Sequence, residues 1–315
     1  MDKFKLNYKD KMLLELLDAN SRSTLGFLAG KLNLSKQAIR KKLNRFIQGG
    51  VILNYISIID FFKLGYNNMH LYLMLQGIDK EMYNKKLEEL KKLREIAWIA
   101  ELFGESNLGI SILYKDTFEL SYILNKINKI FGSLIIRKEI HLINKHLIPK
   151  INLISQDYSK VIELSYDKKI FNIERLDEKI LSEIKNNARF SYLDISTKLK
   201  KKPETIKKHI VSLENKGVIK NYKILLNYNS LGYLWHLCIL NIVPGKNISN
   251  LLNYFKREKR IPFVSITIEN NIIIDFLSKD YQELKEFLNL LKEKNKEIES
   301  YKILNVEKLI KLKEI

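Results

Sequence analysis

The sequence has a single cysteine and no long apolar run, and each scarcity argues against a class of protein. A lone cysteine, Cys238 in the apolar run LWHLCILNIV, cannot form a disulfide within the chain and is expected to be a small buried hydrophobe. Because no run of about 18 apolar residues is present, no transmembrane helix is expected. The N-terminal MDKFKLNYKDK lacks the apolar core of a signal peptide. These features predict a cytoplasmic protein with no membrane partner.

Acidic residues are few in comparison with basic ones. The 315 residues include 55 Lys and Arg against 36 Asp and Glu, which gives a formal net charge of +19. Such an excess indicates a polyanionic partner, either nucleic acid or an anionic membrane. The abundance of Lys, Asn and Ile is also typical of A/T-rich coding, so the charge alone is a weak indication of double-stranded DNA.

Motifs for catalysis and metal binding are missing as well. The five histidines, His70, His141, His146, His209 and His236, show no metal-ligand spacing with the cysteine and adjoin no Ser or Cys nucleophile. The glycines form neither a P-loop nor a dinucleotide fingerprint. We therefore expect no enzyme, no catalytic residue, no cofactor and no metal site. His141 and His146 are expected on opposite faces of a strand, as surface or edge residues.

An internal repeat is the most informative feature that the sequence does have. The segment GVILNY at Gly50 to Tyr55 returns as GVIKNY at Gly217 to Tyr222, an offset of 167 residues. The same offset aligns further pairs without a gap, namely Asp10 with Asp177, Leu14 with Leu181, Arg22 with Arg189, Leu32 with Leu199, Ile39 with Ile206 and Tyr66 with Tyr233. A gapless match over about sixty positions indicates a tandem duplication, in which each copy contains the same domains.

The first part of each copy predicts three helices followed by a strand. In the first copy, DKMLLELLDA and RSTLGFLAGKL carry apolar residues at helical spacing. Ser35 is then a favourable N-cap for a third helix, whose Ile39, Leu43 and Phe46 share one face. Two glycines end this helix, and VILNYISIID predicts a strand. The second copy keeps the plan, with Pro203 opening its third helix. This order describes a winged helix-turn-helix.

Basic side chains occupy the outward faces of the third helix, in NLSKQAIRKKLNRF. We expect this helix to enter the major groove, and the residues expected at the DNA are Ser35, Lys36, Gln37, Arg40 and Lys41, with Lys42 and Arg45 on phosphates. Their counterparts in the second copy are Pro203, Glu204, Thr205, Lys207 and Lys208. Because Glu204 repels phosphates, the two heads are expected to prefer different half-sites or to differ in affinity.

The remainder of each copy predicts a different domain. Apolar strands and amphipathic helices follow one another in the order β-α-β-β-α-β, which is the ferredoxin-like plan. The predicted fold class is therefore α+β, with two winged helix-turn-helix domains alternating with two ferredoxin-like domains. The predicted bounds are 1–66 and 174–233 for the winged helix-turn-helix domains, 67–150 and 234–315 for the ferredoxin-like domains, and 151–173 for a linker. Within the linker, KVIELSY has the composition of a strand.

These motifs together resemble the Lrp/AsnC family of transcription regulators. The resemblance rests on LSKQAIRKKLNRF, GGVILNYISIID and LGY, on their counterparts in the second copy, and on the hairpin LFGESNLGISILYKD. It covers nearly the whole chain, twice. It implies regulation of transcription through DNA bending and wrapping, with dimerisation through the ferredoxin-like (RAM) domains. Those domains pair either within one chain, which linkage favours, or copy with copy between two chains.

The resemblance also implies an effector site. Family members often hold an amino acid or another small effector at a Gly-x-x-Asp turn after the second strand. That turn falls at Gly104, Glu105, Ser106 and Asn107, with Asn in place of Asp. The second copy has Ile268 to Asn271 without glycine, and such a turn is expected to resist a positive φ, so effector binding is expected only in the first copy. The alternative is that GESN is only a hairpin turn.

Three other functions have to be weighed against DNA binding. A membrane-surface helix needs a free apolar face, whereas Ile39, Leu43 and Phe46 are required to pack the first two helices. A protein-interaction module, with one or both heads no longer binding DNA, is the main alternative. Siroheme decarboxylases resemble Lrp/AsnC proteins in fold and carry a hairpin rich in His and Tyr. The hairpins AELFGESNLGISIL and SITIENNIIIDFL of this chain contain no His.

Overall fold

Helices and strands are mixed along the whole chain, as the α+β class requires, in a computed structural model that describes residues 4–151, 161–166 and 169–312. The first copy contains α1 (Tyr8–Ala19), α2 (Leu25–Leu32), α3 (Lys36–Gln48), β1 (Ile52–Ile59), β2 (Asn67–Leu75), α4 (Lys80–Lys91), β3 (Ile96–Gly104), β4 (Leu108–Tyr114), α5 (Thr117–Phe131) and β5 (Ile135–Pro149). After β6 (Val161–Ser165), the second copy contains α6 (Arg175–Asn186), α7 (Tyr192–Leu199), α8 (Pro203–Asn215), β7 (Ile219–Leu226), β8 (Leu234–Ile242), α9 (Ser249–Arg257), β9 (Phe263–Thr267), β10 (Ile272–Ser278), α10 (Tyr281–Lys294) and β11 (Ile298–Leu312).

We call the helices α1 to α3 head 1 and the helices α6 to α8 head 2. The third helix starts differently in the two heads. The Ser35 hydroxyl accepts a hydrogen bond from the Ala38 amide at 3.0 Å, so α3 has the predicted N-cap. Lys202 precedes α8 and makes no side-chain cap, so α8 relies on Pro203 at its first position. Gly50 and Gly217 follow the third helices at φ +63° and +66°, a backbone conformation that favours glycine.

The strand after each third helix pairs with its counterpart from the other copy. β1 and β7 are antiparallel and form a two-stranded sheet by themselves. Both strands were predicted, but within the described residues neither has a strand partner in its own head. One apolar core therefore runs through both heads, and it includes Leu13 and Phe46 from the first copy and Ile180 and Leu213 from the second. The two heads are parts of one folded unit.

The two β-α-β-β-α-β segments form a single closed barrel. Their strand orders, β5-β2-β4-β3 and β11-β8-β10-β9, are those of two ferredoxin-like sheets. β11 also pairs with β3, and β5 also pairs with β9, so the last strand of each copy extends into the sheet of the other. Tyr72, Leu102, Ile239 and Ile273 belong to one apolar cluster contributed by both sheets. The four helices α4, α5, α9 and α10 carry residues of two separate apolar clusters.

The connector between the copies contributes to this sheet. The predicted strand in KVIELSY is confirmed as β6, which pairs with the end of β5. The other linker residues at 152–160 and 167–168 lie outside the described residues. Among the helices that the structure describes, none combines the length and the apolar character needed to cross a membrane.

Candidate DNA-binding interface and central cavity

The third helix of head 1 separates its core face from its charged face as the sequence predicts. Ile39, Leu43 and Phe46 are buried, which leaves no free apolar face for a membrane. Lys36, Gln37, Arg40 and Lys41 are exposed, and the described residues give none of these cations an ion-pair partner. α3 therefore presents three unpaired cations beside an amide, in the composition that binds phosphates and base edges.

Lys42 and Arg45 differ from these residues because both contact Asp10 of α1. The Lys42 ammonium lies 2.6 Å from one carboxylate oxygen, and the Arg45 guanidinium lies 2.6 Å from the other. Burial raises the pKa of Asp10, but the hydrogen bonds from Lys42, Asn7 and Arg45 outweigh it and leave the pKa below its ordinary value. The Lys42 side chain is only 19% exposed. Phosphate contact by these two residues remains a prediction, and it would have to compete with Asp10.

Head 2 presents fewer cations at the same positions. Glu204, Lys207 and Lys208 are exposed on α8, whereas Pro203 and Thr205 are half-buried. The pair equivalent to Lys42 and Asp10 is His209 and Asp177, whose Nδ1 and carboxylate oxygen lie 2.7 Å apart. The exposed surface of α8 near its N-terminus therefore combines two lysines with one glutamate, where α3 has three cations and no acid.

The two heads meet across a set of contacts that obeys the same offset of 167 residues. The Ser21 amide donates to the Tyr222 carbonyl at 2.8 Å, and the equivalent Ala188 amide donates to the Tyr55 carbonyl at 2.9 Å. Arg22 lies 4.9 Å from the centre of the Tyr222 ring, and Arg189 lies 5.2 Å from the centre of the Tyr55 ring. These reciprocal contacts show a pseudo-two-fold axis between the heads of one chain.

The turn from Gly104 to Asn107 is tied to the rest of the barrel. The Asn107 side chain accepts from the Leu75 amide at 2.9 Å and donates to the Leu75 carbonyl at 2.7 Å. Ser106 is buried, and exposed Glu105 lies 3.4 Å from both Arg137 and Lys302. The Asn107 amide therefore extends the hydrogen bonding of β2. Effector binding by these four residues remains a prediction.

The corresponding turn of the second copy corrects one expectation. Asn270 adopts a φ of +65°, so a turn without glycine does reach the left-handed region. Asparagine tolerates this region better than most residues, which accounts for the error. Asn271 then repeats the role of Asn107, since its side-chain oxygen accepts from the Ile242 amide at 2.9 Å.

Between the two-stranded sheet and the barrel lies a cavity of about 220 Å³ that the sequence did not reveal. Its walls are mainly apolar, and its polar lining comes from several elements, with Asp18, Asn68, His70, Tyr72, Ser111, His146, Lys223, Tyr228, Trp235 and Asp275 among the lining residues. Sites for small molecules are concave, mostly apolar and supplied with a few polar groups. The cavity has these properties.

Two histidines stack inside this cavity, contrary to the expected surface positions. The rings of His70 and His146 lie 5.9 Å apart and nearly parallel, and His146 is 3% exposed. His141 contacts the ring of Tyr72, which lies two residues beyond His70 on β2. The register of β5 against β9 shifts between Ile143 and Lys145. This irregularity breaks the alternation of side chains, so His141 and His146 lie on the same side of β5.

Burial keeps both cavity histidines neutral at pH 7. It lowers the pKa of His146 to about 3, and it holds the pKa of His70 well below the ordinary value, with a further contribution from His146. The His146 ring bonds to Ser265 at 2.9 Å and to Asn68 at 3.1 Å, with donor roles set by its tautomer. Over the described ranges, no cluster of three or more His, Cys, Asp or Glu side chains is suited to hold a metal ion.

Comparison with known protein families identifies both heads. The family model described as winged helix-turn-helix DNA-binding matches residues 6–52 and again residues 173–220. An uncharacterized HTH-type transcriptional regulator of Pyrococcus furiosus is 33% identical over 117 residues, which are 37% of this chain and 79% of the relative. The HTH-type transcriptional regulator LrpA of Pyrococcus horikoshii is 31% identical over 131 residues, which are 40% of this chain and 89% of the relative.

A likeness over the whole length comes from solved structures. The siroheme decarboxylase NirDL superposes with a TM-score of 0.64 and covers 98% of this chain and 94% of its own. The sequence identity is 13%, so the likeness concerns the fold. The complete arrangement of two heads and one barrel thus occurs in another protein of known structure.

Proposed function

Because the chain belongs to the Lrp/AsnC family of DNA-binding transcription regulators, we propose that a single chain presents both DNA-reading helices of one regulator. Its heads carry α3 and α8 as the helices that enter the major groove. The reciprocal contacts of the heads about the β1–β7 sheet carry this proposal, because they form a two-headed unit within one chain. A symmetric regulator reads two half-sites in the same way. A regulator that contacts chromosomal DNA also suits the predicted cytoplasmic location.

Arg40 is the residue that we expect to read a base in head 1. It is exposed, lies on the second turn of α3 and has no ion-pair partner among the described residues. A bidentate contact from arginine to guanine contributes roughly 1–3 kcal/mol of discrimination. Phosphate contacts from Lys36 and Lys41 would fix the position of the helix without reading sequence.

The substitution Arg40→Ala tests this assignment in the full chain, because the heads share one core. A duplex selected from a randomised pool is titrated by fluorescence anisotropy over a series of salt concentrations. Arg40→Ala should weaken specific binding by roughly 1–3 kcal/mol and relax the preference at one base position. Arg257→Ala, which removes an exposed arginine of α9, is the matched control and should leave binding unchanged. An unaltered sequence profile for Arg40→Ala would show that this residue does not read a base.

An effector at the first-copy turn is a further part of the proposal. Glu105 is half-exposed beside Arg137 and Lys302, so charged and polar groups of the turn are accessible. An amino acid is the class of effector that the family suggests. The commitment of Asn107 to Leu75 argues that this side chain shapes the turn while its neighbours contact a ligand.

We propose that the chain is not an enzyme, with one alternative favoured by a specific observation. The fold likeness to a siroheme decarboxylase spans nearly the whole chain, and His70 and His146 stack in the cavity. The cavity of about 220 Å³ is nevertheless smaller than the roughly 300–1,000 Å³ typical of drug-sized ligands. A tetrapyrrole would have to enlarge it. An ultraviolet-visible titration with an iron tetrapyrrole distinguishes the two functions, and tight binding with a shifted Soret band would favour the decarboxylase.

A further inference from the structure

One carboxylate of the central cavity stands apart from the other polar groups. Asp275 of β10 faces Leu237 on β8 and Phe263 on β9, and it lines the cavity. Among the described residues no cation or hydrogen-bond donor pairs with it in good geometry. The indole nitrogen of Trp235 is near enough to oppose the rise in its pKa, yet that nitrogen is buried without a hydrogen-bond partner. A buried carboxylate and a buried N–H that remain unpaired are costly, and a ligand can satisfy both.

A second unmet acceptor lies in the same cavity wall. Asp18 accepts from Lys223 at 2.6 Å and from the Ile151 amide at 2.9 Å through one carboxylate oxygen. Its other oxygen is buried and has no partner in the described chain. The hydroxyl of Tyr228 lies in the electrostatic field of both Asp18 and Asp275, which together with burial raises its pKa. The polar side of the cavity is therefore rich in acceptors.

Comparison of the two copies shows that this acidity belongs to one of them. Strand register places Ser111 opposite His70 as it places Asp275 opposite Leu237, so Ser111 is the first-copy equivalent of Asp275. The Ser111 hydroxyl accepts from the Asn68 side chain at 2.8 Å, which satisfies it internally. Trp235 replaces Asn68 in the second copy. The symmetric core thus acquired an asymmetric cavity, with a satisfied hydroxyl on one side and an unpaired carboxylate on the other.

The lining also determines which charge a ligand can carry. Lys223 is the only lysine or arginine among the described lining residues, and its ammonium contacts Asp18. The imidazoles of His70 and His146 are neutral, as their burial requires. A ligand carboxylate would find no free cation. A ligand cation would find Asp275 together with the aromatic faces of Trp98 and Trp235, which attract ammonium groups.

We propose that this cavity binds a small organic cation, an alkylamine or arylalkylamine without a carboxylate, whose ammonium pairs with Asp275. The apolar body of the amine would fill the space between Ile273 of the barrel and Ile58 and Ile224 of the two-stranded sheet. The ligand would then contact both the barrel and the strands that join the heads.

The probe for this site is 2-phenylethylamine, titrated into the full chain by isothermal calorimetry in the absence of DNA. Its neutral analogue 2-phenylethanol and its carboxylated analogue phenylalanine are titrated in parallel. The amine should bind at least tenfold more tightly than either analogue. Equal affinities for the amine and the alcohol would show a merely apolar cavity, and preferential binding of phenylalanine would show an amino-acid site. Either result overturns the proposal, and neither bears on DNA binding.

Two substitutions place the binding at Asp275. Asp275→Asn keeps the shape of the side chain and removes its charge, so it should lower the affinity for the amine at least tenfold. Ser111→Ala is the matched control at the equivalent position, because Asn68 still donates to the Ile112 carbonyl at 3.0 Å, and it should change the affinity less than twofold. Retention of amine binding by Asp275→Asn would contradict the assignment. A loss of folding in this variant would leave the comparison of amine with alcohol on the wild type to decide.

Discussion

At the scale of single residues, Asp275 carries the largest unrelieved electrostatic cost in the cavity. Burial raises the pKa of this carboxyl to about 7, with partial opposition from Trp235. A carboxyl with a raised folded-state pKa keeps its proton when the unfolded chain has already lost it. Stability is therefore lost as the pH rises from about 4 to about 7, and the cost is fully present above that range.

The substitution Asp275→Asn should remove this pH dependence. The wild type should lose roughly 2–3 kcal/mol between pH 5 and pH 8 through this group, since one pKa unit corresponds to about 1.4 kcal/mol. The variant should therefore become more stable relative to the wild type by that amount over the interval. Urea unfolding of both proteins at both pH values gives the difference, in which His70 and His146, Asp18, Lys223, Tyr72 and Tyr228 of the same cavity are common to both. A difference that does not grow with pH would contradict the buried charge.

Residue periodicity explains why some positions were predictable. The spacing of Ile39, Leu43 and Phe46 identifies the core face of α3 without any knowledge of its neighbours. His146 was misplaced because a local irregularity in β5 reverses the alternation, and no sequence pattern marks it. The cavity role of Asp275 was missed because it depends on three strands and a loop that are distant in sequence.

At the scale of secondary structure elements, α3 and α8 are the same helix with different surfaces. α3 begins with a serine cap and exposes Lys36, Arg40 and Lys41, whereas α8 lacks a side-chain cap and exposes Glu204 beside its lysines. Each Lys or Arg at a phosphate releases counterions, and a glutamate there is repelled. α3 should therefore contribute more to affinity than α8.

Two double substitutions measure this difference in the intact chain. Arg40→Ala with Lys41→Ala should weaken binding to the selected duplex by more than Lys207→Ala with Lys208→Ala. It should also reduce the slope of log affinity against log salt by about one for each phosphate that the variant no longer neutralises. Fluorescence anisotropy across salt concentrations gives both quantities. Equal reductions in affinity and equal slopes for the two variants would show that the heads are equivalent. No effect from the second pair would show a head that no longer binds DNA.

Strand existence was predictable at this scale, while strand pairing was not. The β-branched run VILNYISIID identifies β1, but its composition does not reveal that the partner is β7, 167 residues further on in register with the repeat. The same holds for β5 and β11, whose length of 15 residues each allows pairing with both sheets. Pairing depends on which faces are available once the heads and helices have packed.

At the scale of the whole molecule, duplication replaces dimerisation. The barrel closes within one chain because β5 and β11 exchange between the sheets, and the β1–β7 sheet joins the heads at the other interface. Linking two halves raises their effective concentration, so the pair forms without a second molecule. It also permits the halves to diverge, as the exchange of Asn68 and Ser111 for Trp235 and Asp275 shows.

The mass of the protein–DNA complex tests the central claim most directly. The full chain is bound to its selected duplex, and sedimentation equilibrium gives the number of chains while nuclease protection gives the number of half-sites. Our account predicts one chain of 37.2 kDa on each duplex, with two protected half-sites about one helical turn apart. Two chains on the same pair of half-sites, or a single protected half-site for each chain, would contradict it.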